Sequence, residues 1–125
     1  MSGLLASLSS IDAFTVLRVL CGLFFIPHIV GKFTEPAALN FFVAAGFKPP
    51  AVWMYLAGVI EIVLAIGLIF NIYLFSVAVL TAIHLLVATV GILKVSGGKW
   101  LWNIGGCEYP LFWAICAYIV ATNPT

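Results

Sequence analysis

Charge is what this chain has least of. Five basic and four acidic side chains are spread over 125 residues, 7% of the total. A soluble domain carries roughly 25%. The net charge of +1 supplies no field to recruit nucleic acid. Hydrophobic residues reach 65%, with a mean hydropathy of +1.26. An integral membrane protein that contacts the lipid bilayer follows. The length suits a single domain (1–125) of about four ~20-residue spans joined by short loops.

Other absences narrow the chemistry. Cysteine occurs only as Cys21, Cys107 and Cys116, an odd count with no CxxC pair, which argues against a thiol–disulfide centre. His28 and His84 stand on different spans, with no repeated Glu-x-x-His and no pair arranged for haem. A glycine-rich nucleotide loop and a GxSxG elbow are also missing. The expectation is no metal site and no intrinsic cofactor. The N-terminus has no basic region ahead of its first apolar run, so the first span is expected to double as the targeting signal.

The pattern that is present predicts an all-α fold, a bundle of four transmembrane helices. The spans fall at about 11–31, 51–70, 73–93 and 109–122. Ser9, Ser10 and Asp12 are candidate caps for the first. Pro27 inside it removes a donor and should bend the helix. From Lys32 to Pro50 the chain reads as a mixed loop. Within it, Pro36 can open a short apolar helix that is interfacial or re-entrant, closed by Gly46. Asn71-Ile72 is so short a link that spans two and three must form an antiparallel hairpin. Trp100, Trp102 and Tyr109 are spaced like an interface belt, and Ile104 to Glu108 are expected partly within the membrane. Lys32, Lys48, Lys94 and Lys99 all fall in the first and third loops. The positive-inside rule therefore puts those loops in the cytoplasm and both termini outside.

Charge inside a span is costly and usually functional. Arg18, Cys21, Phe25, His28 and Lys32 follow a helical step and share a face. Glu61 and His84 lie near the middle of spans two and three. Arg18 and Glu61 are expected to form a buried ion pair with His84 nearby. His28, Lys32, Glu35, Cys107 and Glu108 would make a second polar layer nearer the lysine loops. Each residue also has a structural reading. Arg18 and Glu61 could only fix helix register. His84 could bond a carbonyl, Lys32 could snorkel to the interface, and Glu108 could favour a helix N-terminus.

Several segments resemble the DoxX family of membrane proteins. VLRVLCGLFFIPHIVGKF is similar to that family's first span. AGFKPPAVWMYLAGVIEIVLAIGLIF is similar to its second, a loop glycine and proline before a span with one glutamate. GGCEYPLFWAI is similar to its last, which opens on a glutamate. The resemblance implies a four-helix protein of the bacterial cytoplasmic (inner) membrane, with Arg18, His28, Lys32, Glu61 and Glu108 at the family's polar positions. The family takes its name from a subunit of a thiosulfate:quinone oxidoreductase, and other members are linked to redox complexes.

The leading expectation is a redox-associated, quinone-linked membrane subunit whose partner protein carries the electrons. Arg18, Glu61 and His84 would be the catalytic groups, and Phe25, His28, Lys32 and Glu108 would line a substrate or quinone pocket. The alternative is a non-catalytic assembly protein whose buried charges hold the bundle and whose loops dock a partner. A weaker one is a small transport unit acting as a homo-oligomer, for which no convincing inverted repeat is found.

Overall fold

A computed structural model describes residues 12–99 and 106–123. Among these residues every regular element is helical: α1 (Ala13–Leu23), α2 (Phe25–Thr34), α3 (Pro36–Ala44), α4 (Pro50–Phe70), α5 (Leu74–Val95) and α6 (Glu108–Thr122). Three columns are long and apolar enough to cross a membrane: Ala13–Thr34, Pro50–Phe70 and Leu74–Val95. The protein is thus a multi-pass membrane protein. The helix α6 is apolar too, and shorter, at 15 residues. Trp100, Trp102, Ile104, Ser9, Ser10 and the expected span start at Ile11 lie outside the described residues.

Local chemistry explains the boundaries. Asp12 caps α1, its carboxylate accepting from the Phe14 amide at 3.0 Å. The first column is interrupted at Phe24, between α1 and α2. Pro27 has no N–H to offer the Leu23 carbonyl, and its ring crowds that same carbonyl. The disturbance expected at Pro27 therefore appears one turn earlier in the chain. The column then runs to Thr34, past the expected end at residue 31. Lys32 is consequently in the last turn of a helix and not in a loop. Glu35 is extended, as a residue before proline prefers, and by itself both ends α2 and starts α3.

The hairpin between α4 and α5 is closed as its length demands. Asn71 adopts the left-handed conformation, and the Ile72 amide returns to the Gly67 carbonyl at 2.9 Å. Gly46, also left-handed, follows α3, and a β-carbon there would come within 3.2 Å of Lys94 Nζ. The first and third loops are therefore at the same end of the molecule.

Apolar side chains fill the core, as in a soluble protein, and also cover the outside. Val59, Val63, Phe75, Val87, Val90 and Phe112 face outward, while Arg18, Glu61, Thr81 and Thr89 are buried. That distribution suits a solvent of lipid tails. Close approach of the α1–α2 column to α4 depends on small residues. A β-carbon on Gly22 would stand 2.8 Å from the Ile69 side chain and 3.1 Å from the Ala65 carbonyl. One on Gly58 would stand 3.1 Å from Phe33. The two columns are antiparallel, with Gly22 beside Ala65–Ile69 and Lys32–Phe33 beside Gly58. The helix α6 packs along α5 and touches α1, where the Trp113 indole donates to the Cys21 carbonyl at 3.2 Å.

Candidate functional site

The antiparallel register decides which charges meet. Glu61, at the middle of α4, lies level with the residues just before Lys32, not with Arg18. Ten helical positions separate Arg18 from His28, about 15 Å along the axis at ~1.5 Å per residue. The expected Arg18–Glu61 pair does not form. Arg18 instead donates through one terminal nitrogen to the carbonyls of Leu68 and Ile69, the latter at 2.9 Å. These belong to the last turn of α4, whose carbonyls have no helical donor and carry the negative end of the helix dipole. A cation from α1 thus completes the end of a neighbouring helix.

Glu61 takes two other partners. Its Oε1 lies 2.8 Å from Lys32 Nζ, and its Oε2 lies 2.9 Å from His84 Nε2. Three columns therefore contribute to one buried cluster: α2 the ammonium, α4 the carboxylate and α5 the imidazole. Gly58, one turn before Glu61, admits the Phe33 ring against the α4 backbone and so brings the neighbouring Lys32 alongside. Lys32 therefore does more than reach for the interface. An ionised carboxylate only accepts, so His84 presents Nε2–H to it.

The cluster forms part of the wall of a cavity of about 710 Å³. Lys32, Glu61 and His84 line it together with His28, Glu35, Phe41, Phe47, Tyr109 and Trp113. The rings of His28 and Tyr109 are stacked at 5.8 Å with planes 13° apart, and His28 lies 5.4 Å from Trp113. One part of the cavity is thus polar and another aromatic. Its volume falls within the ~300–1,000 Å³ typical of small-molecule sites.

The remaining expected site residues divide. His28 and Lys32 line the cavity. Phe25 is fully buried and does not line it; its ring packs edge-on to His84 at 6.1 Å and against Trp113 at 4.5 Å. Glu108 opens α6 beside the lining residues Tyr109 and Pro110 without lining the cavity itself, and its Oε2 is buried with no hydrogen-bond partner among the described residues. Cys107 is buried with its sulfur toward the Thr89 carbonyl at 3.8 Å, anchoring the start of α6 to α5. No group of three metal-ligating side chains occurs among the described residues. Sequence reasoning missed the Lys32–Glu61 contact and the place of Trp113. The signal for the first was Gly58 three residues before Glu61, a small residue that fixes where α2 can cross.

Among curated proteins and solved structures, none matches the chain. A family model described as DoxX matches residues 13–94. That segment spans α1 to α5 and carries Arg18, His28, Lys32, Glu61 and His84, with Glu108 beyond it. The match extends over more than half of the sequence, and the chain belongs to the DoxX family.

Proposed function

We propose that this protein is a quinone-linked membrane subunit of a redox system, with the cavity between α2, α4, α5 and α6 as its headgroup site. The observation that carries the reading is the Lys32–Glu61–His84 cluster in the wall of a large, partly aromatic cavity. A cluster serving only to neutralise charge has no need of such a space beside it.

The residues fit a flat headgroup with two carbonyl oxygens. Lys32 is a donor for one oxygen, and the His28, Tyr109 and Trp113 rings offer faces for stacking. A bound quinone supplies two-electron, two-proton chemistry. The electrons come from a partner protein. His84 exchanges a proton at its ring nitrogens, with Glu61 holding Nε2–H and stabilising the ring when it is charged. Lys32 stabilises negative charge developing on an oxygen beside it. Arg18, held by two carbonyls at the other end of α4, has a structural part.

In this reading α6 completes a four-helix transmembrane bundle and α3 lies at the interface or re-enters it. The membrane is the bacterial cytoplasmic membrane. The two lysine-bearing loops, brought to one end by the Gly46–Lys94 approach, face the cytoplasm and the termini lie outside.

The test is quinone binding by the purified protein in lipid nanodiscs. Wild type should bind a prenylated benzoquinone, and Lys32→Met/Glu61→Gln should bind it at least about tenfold more weakly, a change of ~1.4 kcal/mol. No binding by folded wild type would sink the proposal. A second reading, a non-catalytic assembly protein, is favoured by one observation: Glu61 already has a partner on each oxygen within the chain. It predicts that Lys32→Met/Glu61→Leu/His84→Phe keeps both fold and cellular function, since apolar replacement of a whole buried cluster is often neutral.

A further inference from the structure

Beside the large cavity lies a second one of about 360 Å³, bounded by α1, α2 and α6. Pro27, His28, Tyr109 and Trp113 line both, so the two spaces share a wall. Their characters differ. The first carries the ionisable cluster, whereas the second is apolar except for two thiols and the shared His28 and Tyr109. Leu20, Phe24 and Phe112 line the second cavity and are also exposed on the outer, lipid-facing surface, Phe112 to 70%. The Phe24 interruption of the first column lies on this side. An apolar groove thus opens to lipid, reaches inward and ends against the aromatic wall of the polar cavity.

We propose that this groove holds the first units of a prenyl chain whose oxygen-bearing head occupies the large cavity, the ligand entering sideways from the bilayer between the α1–α2 column and α6. The inference rests on the quinone reading above and adds the class of ligand and its route. The argument is adjacency: Pro27, His28, Tyr109 and Trp113 border both spaces, so a chain leaving a head in the large cavity has the groove as its neighbouring apolar space. The groove does not act by hydrophobic gain, because lipid tails are as apolar as its lining. It acts by aim, admitting a head only when its chain leaves in one direction. The consequence is selectivity between tailed and tail-less ligands when the groove is filled.

The experiment compares a benzoquinone bearing two isoprene units with the same ring lacking the chain, in nanodiscs of wild type and of Leu20→Trp. Leu20→Trp places bulk in the groove from the lipid side. The tailed quinone should bind the variant at least about tenfold more weakly, while the tail-less one binds both proteins equally; tenfold corresponds to ~1.4 kcal/mol. Equal binding of the tailed quinone by both proteins overturns the groove and leaves the headgroup site standing. Failure of folded wild type to bind either quinone overturns both. If Leu20→Trp loses both ligands, wild type decides through a quinone carrying a photoreactive diazirine on its second isoprene unit. Label on residues 17–24 and 112–116, displaced by unlabelled tailed quinone, supports the groove. Label elsewhere, or label there that the competitor does not displace, overturns it.

Discussion

The molecule solves one problem twice. At one end of α4, Arg18 is buried to 8% exposure and is held by backbone carbonyls that would otherwise lack donors. Midway along the same helix, Glu61 is buried to 5% and is held by two side chains from other helices. The first arrangement is fixed: a guanidinium keeps its charge under all ordinary conditions, and carbonyls cannot titrate. The second is built from ionisable side chains on three helices, and it adjoins a cavity. Burial of charge is therefore not by itself a mark of chemistry. The nature of the partner separates the two arrangements.

Four substitutions would break or sharpen that contrast. The largest effect is expected from Arg18→Leu, which strands two acceptors at the end of α4. At ~1–3 kcal/mol for each unsatisfied group the loss is about 4 kcal/mol, read as a lowered unfolding midpoint in detergent. If Arg18→Leu is as stable as wild type, Arg18 does not secure the end of α4. Next, Glu61→Leu should cost about 3 kcal/mol, because Lys32 loses its counter-charge; the ~3–5 kcal/mol of a dry pair is reduced by the cavity beside it. Adding Lys32→Met should recover more than half of that loss, whereas Lys32→Met should recover none of the loss in Arg18→Leu. Equal rescue in both backgrounds would mean that the two ends form one network. The smallest effect is expected from Gly22→Ala, about 2 kcal/mol, since its β-carbon meets Ile69 and the Ala65 carbonyl. It should also weaken the Arg18 end more than the Glu61 end, visible as faster amide exchange at residues 68–72 than at residues 58–62.

Much of the architecture was legible from residue patterns alone. Asp12 as a cap, Pro36 at a helix start and the tight hairpin each follow from local chemistry, although the link expected as Asn71-Ile72 takes in Tyr73 as well, because α5 starts only at Leu74. So do the long apolar helices and the DoxX relationship. The site was legible in its membership more than in its pairing. Glu61, His84, His28 and Lys32 were singled out, and they do gather around one cavity. The error was to join Glu61 to Arg18. The expected pairing took the first span as 11–31, whereas the column runs Ala13–Thr34, which sets Arg18 further from its middle and beside the opposite end of the antiparallel α4. The Lys32–Glu61 contact was hidden for the same reason: the place of Lys32 in a loop depended on a helix end that Pro36, four residues on, actually sets. Opposite charge could not arbitrate either, because Arg18 found carbonyls, and a carbonyl leaves no trace in a side-chain sequence.

The bond from Arg18 to the end of α4 also has a meaning for biosynthesis. The chain is made from its N-terminus, and the acceptors lie 50 and 51 residues after the arginine. The first segment must therefore leave the ribosome with a cation whose partners do not yet exist. Isolated in lipid, that segment would carry an unmet charge costing at least a few kcal/mol. Its insertion alone is therefore less favourable than its insertion beside α4. A nascent chain arrested before residue 70 should thus remain beside the translocon, and one arrested well after it should move into the bilayer as a pair of helices.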